Sequence, residues 1–227
     1  MKLIIANKLY SSWSLRPWIL MQGLGIPFEE EVIPLYQPDT AARIAKYSPA
    51  GRVPVLIDDD ATVWESLAIV EHLHERFADR GVWPKDVNAR ALARAISNEM
   101  HAGFGALRQA LPMNIGKRFK PKDHGADVAA NVARVSAIWR DARKQFAAGQ
   151  PFLFGDFSAA DAMYAPVVTR LDTYQVAVDA ETRRYMDAVL AHPAFVTWRA
   201  AALQEPWTIA HYEDGHEAAE VFHKPSA

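Results

Sequence analysis

A proline inside an otherwise strand-like run constrains this chain more than any other single feature. Val53 to Ile57 is apolar and largely β-branched and reads as a strand, yet Pro54 lacks the N–H that a central ladder position requires. An edge position, or a cis bond at a tight turn, accommodates it. Either way the N–H and C=O of Val53 stay free at the sheet margin, where an extended peptide-like ligand can pair with them. Asp58-Asp59-Asp60 then reads as a hairpin turn leading to a strand over Thr62 to Trp64, and Glu65-Ser66 opens a helix. A helix N-terminus with a hydroxyl beside it favours a carboxylate, and Glu65 supplies a partner for an ammonium. Free backbone next to such a corner describes a site for a small peptide with an amino-acid end.

The elements around this segment follow a consistent order. Lys2 to Ala6 reads as a buried strand. Ser14 is placed to cap a helix from Leu15, with Pro17 tolerated in its first turn. Phe28 to Leu35 reads as a second strand, Thr40 to Lys46 as a short helix, and Ser66 to Phe77 as a longer one. The order βαβα–ββα predicts a thioredoxin-like α/β domain with a mixed sheet over residues 1–79. Asp79-Arg80-Gly81-Val82-Trp83-Pro84-Lys85 breaks the pattern, so a linker is expected at 80–87. Residues 88–227 read as an all-α domain with an irregular tail after Pro206. Within it Asn88 caps a helix running to Leu111 ahead of Pro112, and a second helix spans Gly125 to Ala148. Ser158 with Asp161 caps a third, Asp179 a fourth, and Ala194 to Gln204 is the last. Trp64 and Trp83 read as packing anchors.

Composition narrows the function. The 227 residues are 50% hydrophobic, enough for a substantial core, and the formal charge of -2 offers no basic excess for a nucleic-acid backbone. With no cysteine, disulfides, thiolate metal sites and cysteine nucleophiles are excluded. His72 and His74 diverge on a helix, and His211, His216 and His223 match no ligand spacing, so no metal site is expected. No apolar run reaches the length of a signal core or a membrane span, and a soluble cytoplasmic protein is the expectation.

The segment Gly51-Arg52-Val53-Pro54-Val55-Leu56 with Trp64-Glu65-Ser66 resembles the glutathione-binding half of the cytosolic glutathione S-transferases. Leu9-Tyr10-Ser11-Ser12-Trp13-Ser14-Leu15-Arg16 resembles the start of their serine-type active site, and Phe157-Ser158-Ala159-Ala160-Asp161 the capping motif of their helical domain. The resemblance spans nearly the whole chain, in the family's order. It implies glutathione as co-substrate, no metal, a small electrophile as second substrate, and a homodimer. Arg52, Val53, Pro54, Glu65 and Ser66 then form the glutathione site. Val53 bonds the cysteinyl backbone, and Ser66 holds the γ-glutamyl carboxylate. Arg52 either binds a carboxylate of the tripeptide or is a solvated surface residue.

The family's catalytic serine stands five residues before the arginine of the first helix, which gives Ser11, with Ser12 the alternative and Tyr10 a third. The hydroxyl, near a helix N-terminus, stabilises the thiolate, the form in which a thiol attacks; the other role open to these serines is helix capping. His101, Phe104 and Arg108, at helical spacing with Ser97, are candidates to face the electrophile, joined by Met113 and by Trp207 and Tyr212 of the tail. For Arg108 an anionic substrate and an acidic neighbour are both open. Two other functions compete. A glutathione-dependent isomerase of the zeta type has a signature beginning Ser-Ser-Cys. Here Trp13 replaces that cysteine, and the arginine that holds the dicarboxylate falls at Thr173, one turn from Arg170. A non-catalytic glutathione-fold module is the other.

Overall fold

Leu3, Ile4 and Ile5 are a continuous apolar run because the strand they form is covered on both faces. In the computed structural model, which describes residues 1–224, β1 (Lys2–Ile5) runs parallel to β2 (Glu29–Val32) and antiparallel to β3 (Val55–Asp58). β4 (Ala61–Trp64) closes the hairpin, giving the order β2-β1-β3-β4. A parallel pair needs a crossover, and α1 (Ser12–Gly23) supplies it; α2 (Thr40–Ala45) and α3 (Ser66–Arg76) complete a thioredoxin-like unit.

Several boundaries differ from the sequence expectation, each for a local reason. β3 lies in the sheet interior, so Pro54 is not at an edge; the Val53–Pro54 bond is cis and the ladder starts at Val55. β2 is shorter than Phe28 to Leu35, since Pro27 and Pro34 bracket it. The first helix begins three residues before Leu15. Ser11 is its cap, accepting the Ser14 N–H at 3.3 Å, while Ser14 lies inside the helix and its Oγ accepts the Ala6 N–H at 3.0 Å. Pro17 consequently falls in the second turn.

In the second half, α7 (Ala159–Thr173) packs against α1, α4 (Val87–Ala102) and α8 (Ala180–Ala191); α6 (Ala126–Phe146) lies on α4, α5 (Gly105–Ala110) and α8, and α9 (Pro193–Ala202) on α1 and α8. α7 is buried on nearly every face, so it reads apolar all round. Asp161 anchors its start, accepting the N–H groups of Ser158 and Leu153, each at 3.0 Å, and the Tyr185 hydroxyl at 3.1 Å. Asp86, not Asn88, caps α4 through the Ala89 N–H at 2.8 Å. The helix expected to reach Leu111 breaks at Gly103, where a Cβ would stand 2.7 Å from the Glu99 carbonyl oxygen. Phe104 then turns left-handed at φ 59° and drops into the core.

Within the described part of the tail, a single turn of 3-10 helix (Ala210–Tyr212) and one short strand interrupt an otherwise irregular path. β6 (Ala218–Val221) pairs antiparallel with β5 (Lys117–Phe119), a short ribbon in the otherwise helical half. Just before the tail, Glu205 accepts the N–H groups of Lys8 and Leu9 at 2.7 and 3.2 Å, tying the end of the last helix to the loop after β1.

Candidate active site

A cavity of about 380 Å³ opens where the loop before β3, the start of α3 and the end of α4 converge, lined by Arg52, Val53, Pro54, Trp64, Glu65 and His101. Val53 precedes the ladder, and neither its N–H nor its C=O is taken by another backbone group among the described residues. Glu65 turns the chain into α3 with φ 68° and ψ 125°, rare for a residue with a Cβ. The turn leaves the first N–H groups of α3 without helical partners. Ser66, one residue on, is fully buried, its Oγ 3.5 Å from Nη1 of Arg16.

A second cavity, about 530 Å³, adjoins the first; Ser11, Ser12, Arg108, Met113, Arg170 and Tyr212 line it, and Trp13 belongs to both. The Trp13 ring lies 4.1 Å from the Arg16 guanidinium and 4.6 Å from that of Arg108, with His101 edge-on at 5.2 Å. His101 Nε2 is 3.7 Å from the Glu65 carboxylate. Burial, then the charge of Arg16, holds the His101 imidazole below its ordinary pKa, with Glu65 opposing. Burial and the neighbouring Arg108 push Arg170 down to about 10, which leaves it a cation at neutral pH.

The serines differ in what they touch. Ser11 donates to Ser14 Oγ at 2.8 Å, so its proton stays within the cap. Ser12 accepts from Arg170 Nη2 at 3.1 Å, and its own O–H has no acceptor among the described residues.

Arg52, Val53, Pro54 and Glu65 thus come together at the first cavity, with Ser66 directly behind. The Arg52 side chain forms no ion pair among the described residues; the Arg52 backbone N–H donates to Ser48 Oγ at 3.1 Å. His101 joins this cavity instead of the second one. Phe104 lines neither cavity: the break after α4 sends it into the core instead. Arg108 and Met113 do line the second cavity. Arg108 has no acidic partner among the described residues; it donates to the His101 carbonyl at 3.1 and 3.2 Å, closing the end of α4. Trp207 is not part of the lining, whereas Tyr212 is. Trp64 is not a packing anchor, being 43% exposed at the cavity mouth, while Trp83 is buried. Sequence reasoning missed Trp13 as the shared wall and Arg170 as the partner of Ser12. The pairing carries no local signal, since Ser12 and Arg170 stand 158 residues apart, and the role of Trp13 depends on His101 and Arg108 reaching it from the helical half. No group of three or more His, Asp or Glu suited to a metal ion occurs among the described residues.

With this geometry in view, comparison with known proteins is direct. Residues 10–76 match the family model for the glutathione S-transferase N-terminal domain, and residues 122–202 the model for its C-terminal domain. The chain belongs to the glutathione S-transferase family. It is 27% identical over 208 residues to the maleylacetoacetate isomerase of Pseudomonas aeruginosa, covering 86% of this chain and 93% of that protein. It is 42% identical over 65 residues to the dichloromethane dehalogenase of Methylorubrum extorquens, covering 28% of this chain and 23% of that one. A probable maleylacetoacetate isomerase of Caenorhabditis elegans is 34% identical, over 44% of this chain and 48% of the relative. The chain therefore matches less than half the length of these last two. Among solved structures, a glutathione transferase homologue from Burkholderia with bound glutathione superposes at a TM-score of 0.67 and 22% identity, covering 88% of this chain and 97% of that one. At that identity the likeness speaks to the fold alone.

Proposed function

We propose that this protein is a glutathione transferase that joins the glutathione thiolate to a partly apolar electrophile. The observation that carries the reading is the unclaimed Val53 backbone beside the open N-terminus of α3, adjoining a cavity lined by the Ser12 hydroxyl and by two guanidinium groups that no carboxylate pairs with among the described residues. Val53 pairs with the cysteinyl unit of the tripeptide. Glu65 takes the ammonium, Ser66 and the first N–H groups of α3 take the γ-glutamyl carboxylate, and Arg52 takes the remaining carboxylate. The thiol then faces the Ser11–Ser12 loop. An ordinary thiol has a pKa of about 8.5, and a hydroxyl donor near a helix N-terminus lowers it. The electrophile enters the second cavity, where Met113 and Tyr212 offer apolar surface and Arg108 a positive charge. Family membership supports a homodimer, a cytoplasmic location and a role in detoxification; no helix among the described residues is long and apolar enough to cross a membrane.

A second reading is cis–trans isomerisation of a dienoic diketo acid. The near full-length similarity to the Pseudomonas isomerase favours it, as do two arginines in a cavity lined by no carboxylate. Trp13 in place of cysteine weighs against it. So does Thr173 at the expected arginine position, its hydroxyl committed to the Asn114 carbonyl at 2.8 Å.

A panel of chloronitroaromatic, epoxide, enone and organic peroxide substrates, with a dienoic diketo acid alongside, separates the readings. Conjugation of any electrophile is the expected outcome. Turnover of the diketo acid alone, with glutathione regenerated, selects the isomerase. Tight glutathione binding without turnover overturns the enzyme reading in favour of a ligand-carrying module.

A further inference from the structure

Arg170 is a buried cation whose charge the protein leaves unbalanced. It is only 6% exposed, and its hydrogen bonds go to neutral acceptors: Nε to the Leu111 carbonyl at 2.8 Å, Nη1 to the Pro166 carbonyl at 3.0 Å and Nη2 to Ser12 Oγ at 3.1 Å. No carboxylate pairs with it among the described residues, and no carboxylate lines the cavity it borders. Burying a charge without a counter-charge is costly, and an apolar residue of similar size would brace the helices more cheaply. Such an arrangement makes sense when an anion arrives with the ligand.

The group through which that charge reaches the cavity is Ser12. Its oxygen is already an acceptor for a guanidinium, which polarises the O–H and leaves that proton free to donate. Ser11, by contrast, spends its proton on Ser14 and its oxygen on the helix cap. Resting on the glutathione reading above, we propose that Ser12 is the catalytic hydroxyl that meets the glutathione sulfur, and that Arg170 is its positioning residue, with the thiolate completing the missing charge pair. When the thiol ionises, its proton leaves to solvent, and the Ser12 O–H turns toward the sulfur while Arg170 holds the oxygen from behind. No bond to the protein forms or breaks. α7 thereby contributes to thiol activation from the helical half of the chain, although the cap itself is built in the first half.

The test needs glutathione and no electrophile: titration of the thiolate absorbance of bound glutathione, with S-methylglutathione affinity and thermal unfolding measured in parallel. Ser12→Ala and Arg170→Met are each expected to raise the bound-thiol pKa by about 1 unit, the usual scale for a lost charge or hydrogen bond at an anion. The double variant should shift it no further than the larger single effect, because both act through one hydroxyl. Arg170→Lys should restore part of the shift, since it keeps the charge without the planar fork. Ser11→Ala should lower the unfolding temperature through the lost cap and move the thiol pKa less.

Arg170 also ties down two carbonyls, so Arg170→Met can loosen the helices; Ser12→Ala, which leaves those bonds intact, keeps the test decisive. If the pKa follows Ser11→Ala and ignores Ser12→Ala, the assignment is overturned. An Arg170→Met variant that melts earlier with an unmoved thiol pKa shows a purely structural arginine. Additive shifts in the double variant sink the route through Ser12. Failure of the wild-type protein to bind either glutathione or S-methylglutathione overturns the glutathione reading itself, and this inference with it.

Discussion

Glu65 shows how a single residue shapes the candidate site. Its backbone sits at φ 68°, a conformation costing on the order of 1–3 kcal/mol for a residue with a Cβ. That turn aims the N-terminus of α3 at the cavity while keeping the carboxylate half-exposed at its rim. Glu65→Gly is therefore expected to leave the unfolding temperature nearly unchanged, because relieved strain offsets the added chain entropy, while glutathione affinity falls. Ser66→Ala, at a fully buried position, should weaken glutathione binding by roughly 1.5–3 kcal/mol, the scale of a hydrogen bond to a charged group. Calorimetric titration of both variants beside thermal unfolding checks the pair, and unchanged affinity in either removes that side chain from the site. At this scale the Arg52–Pro54 and Glu65–Ser66 cluster was legible, because short sequence separations bring those residues together whatever the rest of the chain does. Phe104 was misplaced for the opposite reason: its direction depends on a helix break that helical spacing does not register.

Helix ends carry the information at the scale of elements. The box formed by Ser158 and Asp161 was readable because a cap is a contact within one turn. The break between α4 and α5 was not, although Gly103 and Gly105 flank it; a glycine inside a helical pattern more often lowers stability than ends the helix. The start of α9 supplies a pH test. His192 caps it, with Nδ1 accepting the Ala194 N–H at 3.2 Å and the ring stacked 4.2 Å from Phe157. Burial holds its pKa below the ordinary 6.5, so an unfolded chain takes up this proton before the folded one does. The stability His192 contributes is complete above pH 6.5 and is lost as the pH falls through its lowered folded value. His192→Asn keeps a capping acceptor and does not titrate. The unfolding temperature of the wild type relative to this variant should therefore decline on acidification below pH 6.5; a difference independent of pH would contradict the neutral cap.

At the scale of the whole molecule, one core runs through both halves. Leu3, Trp18 and Ile19 belong to the same buried cluster as Tyr164 and Trp198, and the Trp18 and Trp198 rings lie 5.1 Å apart. Trp198 Nε1 donates to the Lys8 carbonyl at 3.0 Å, adding a polar stitch across the junction. Residues 1–79 made alone would expose the face of α1 that covers α7 and α9, so that fragment is expected to remain unfolded by circular dichroism. The full chain should melt in a single calorimetric transition, and two resolved transitions would show independent halves. Local chemistry was enough to read the strand-and-helix order of the first half, the helical second half, the cap of α7 and the candidate ligand corner, since each depends on residues close in sequence and on periodicity. Only the tertiary structure decided that Ser12 meets Arg170, that Trp13 walls two cavities, and that the tail returns to pair with β5 and roof the second one. Ser12 and Arg170 stand 158 residues apart, Trp13 meets His101 and Arg108 of the other half, and β6 pairs with a strand far back in the chain; periodicity and capping rules reach no further than the element that contains them.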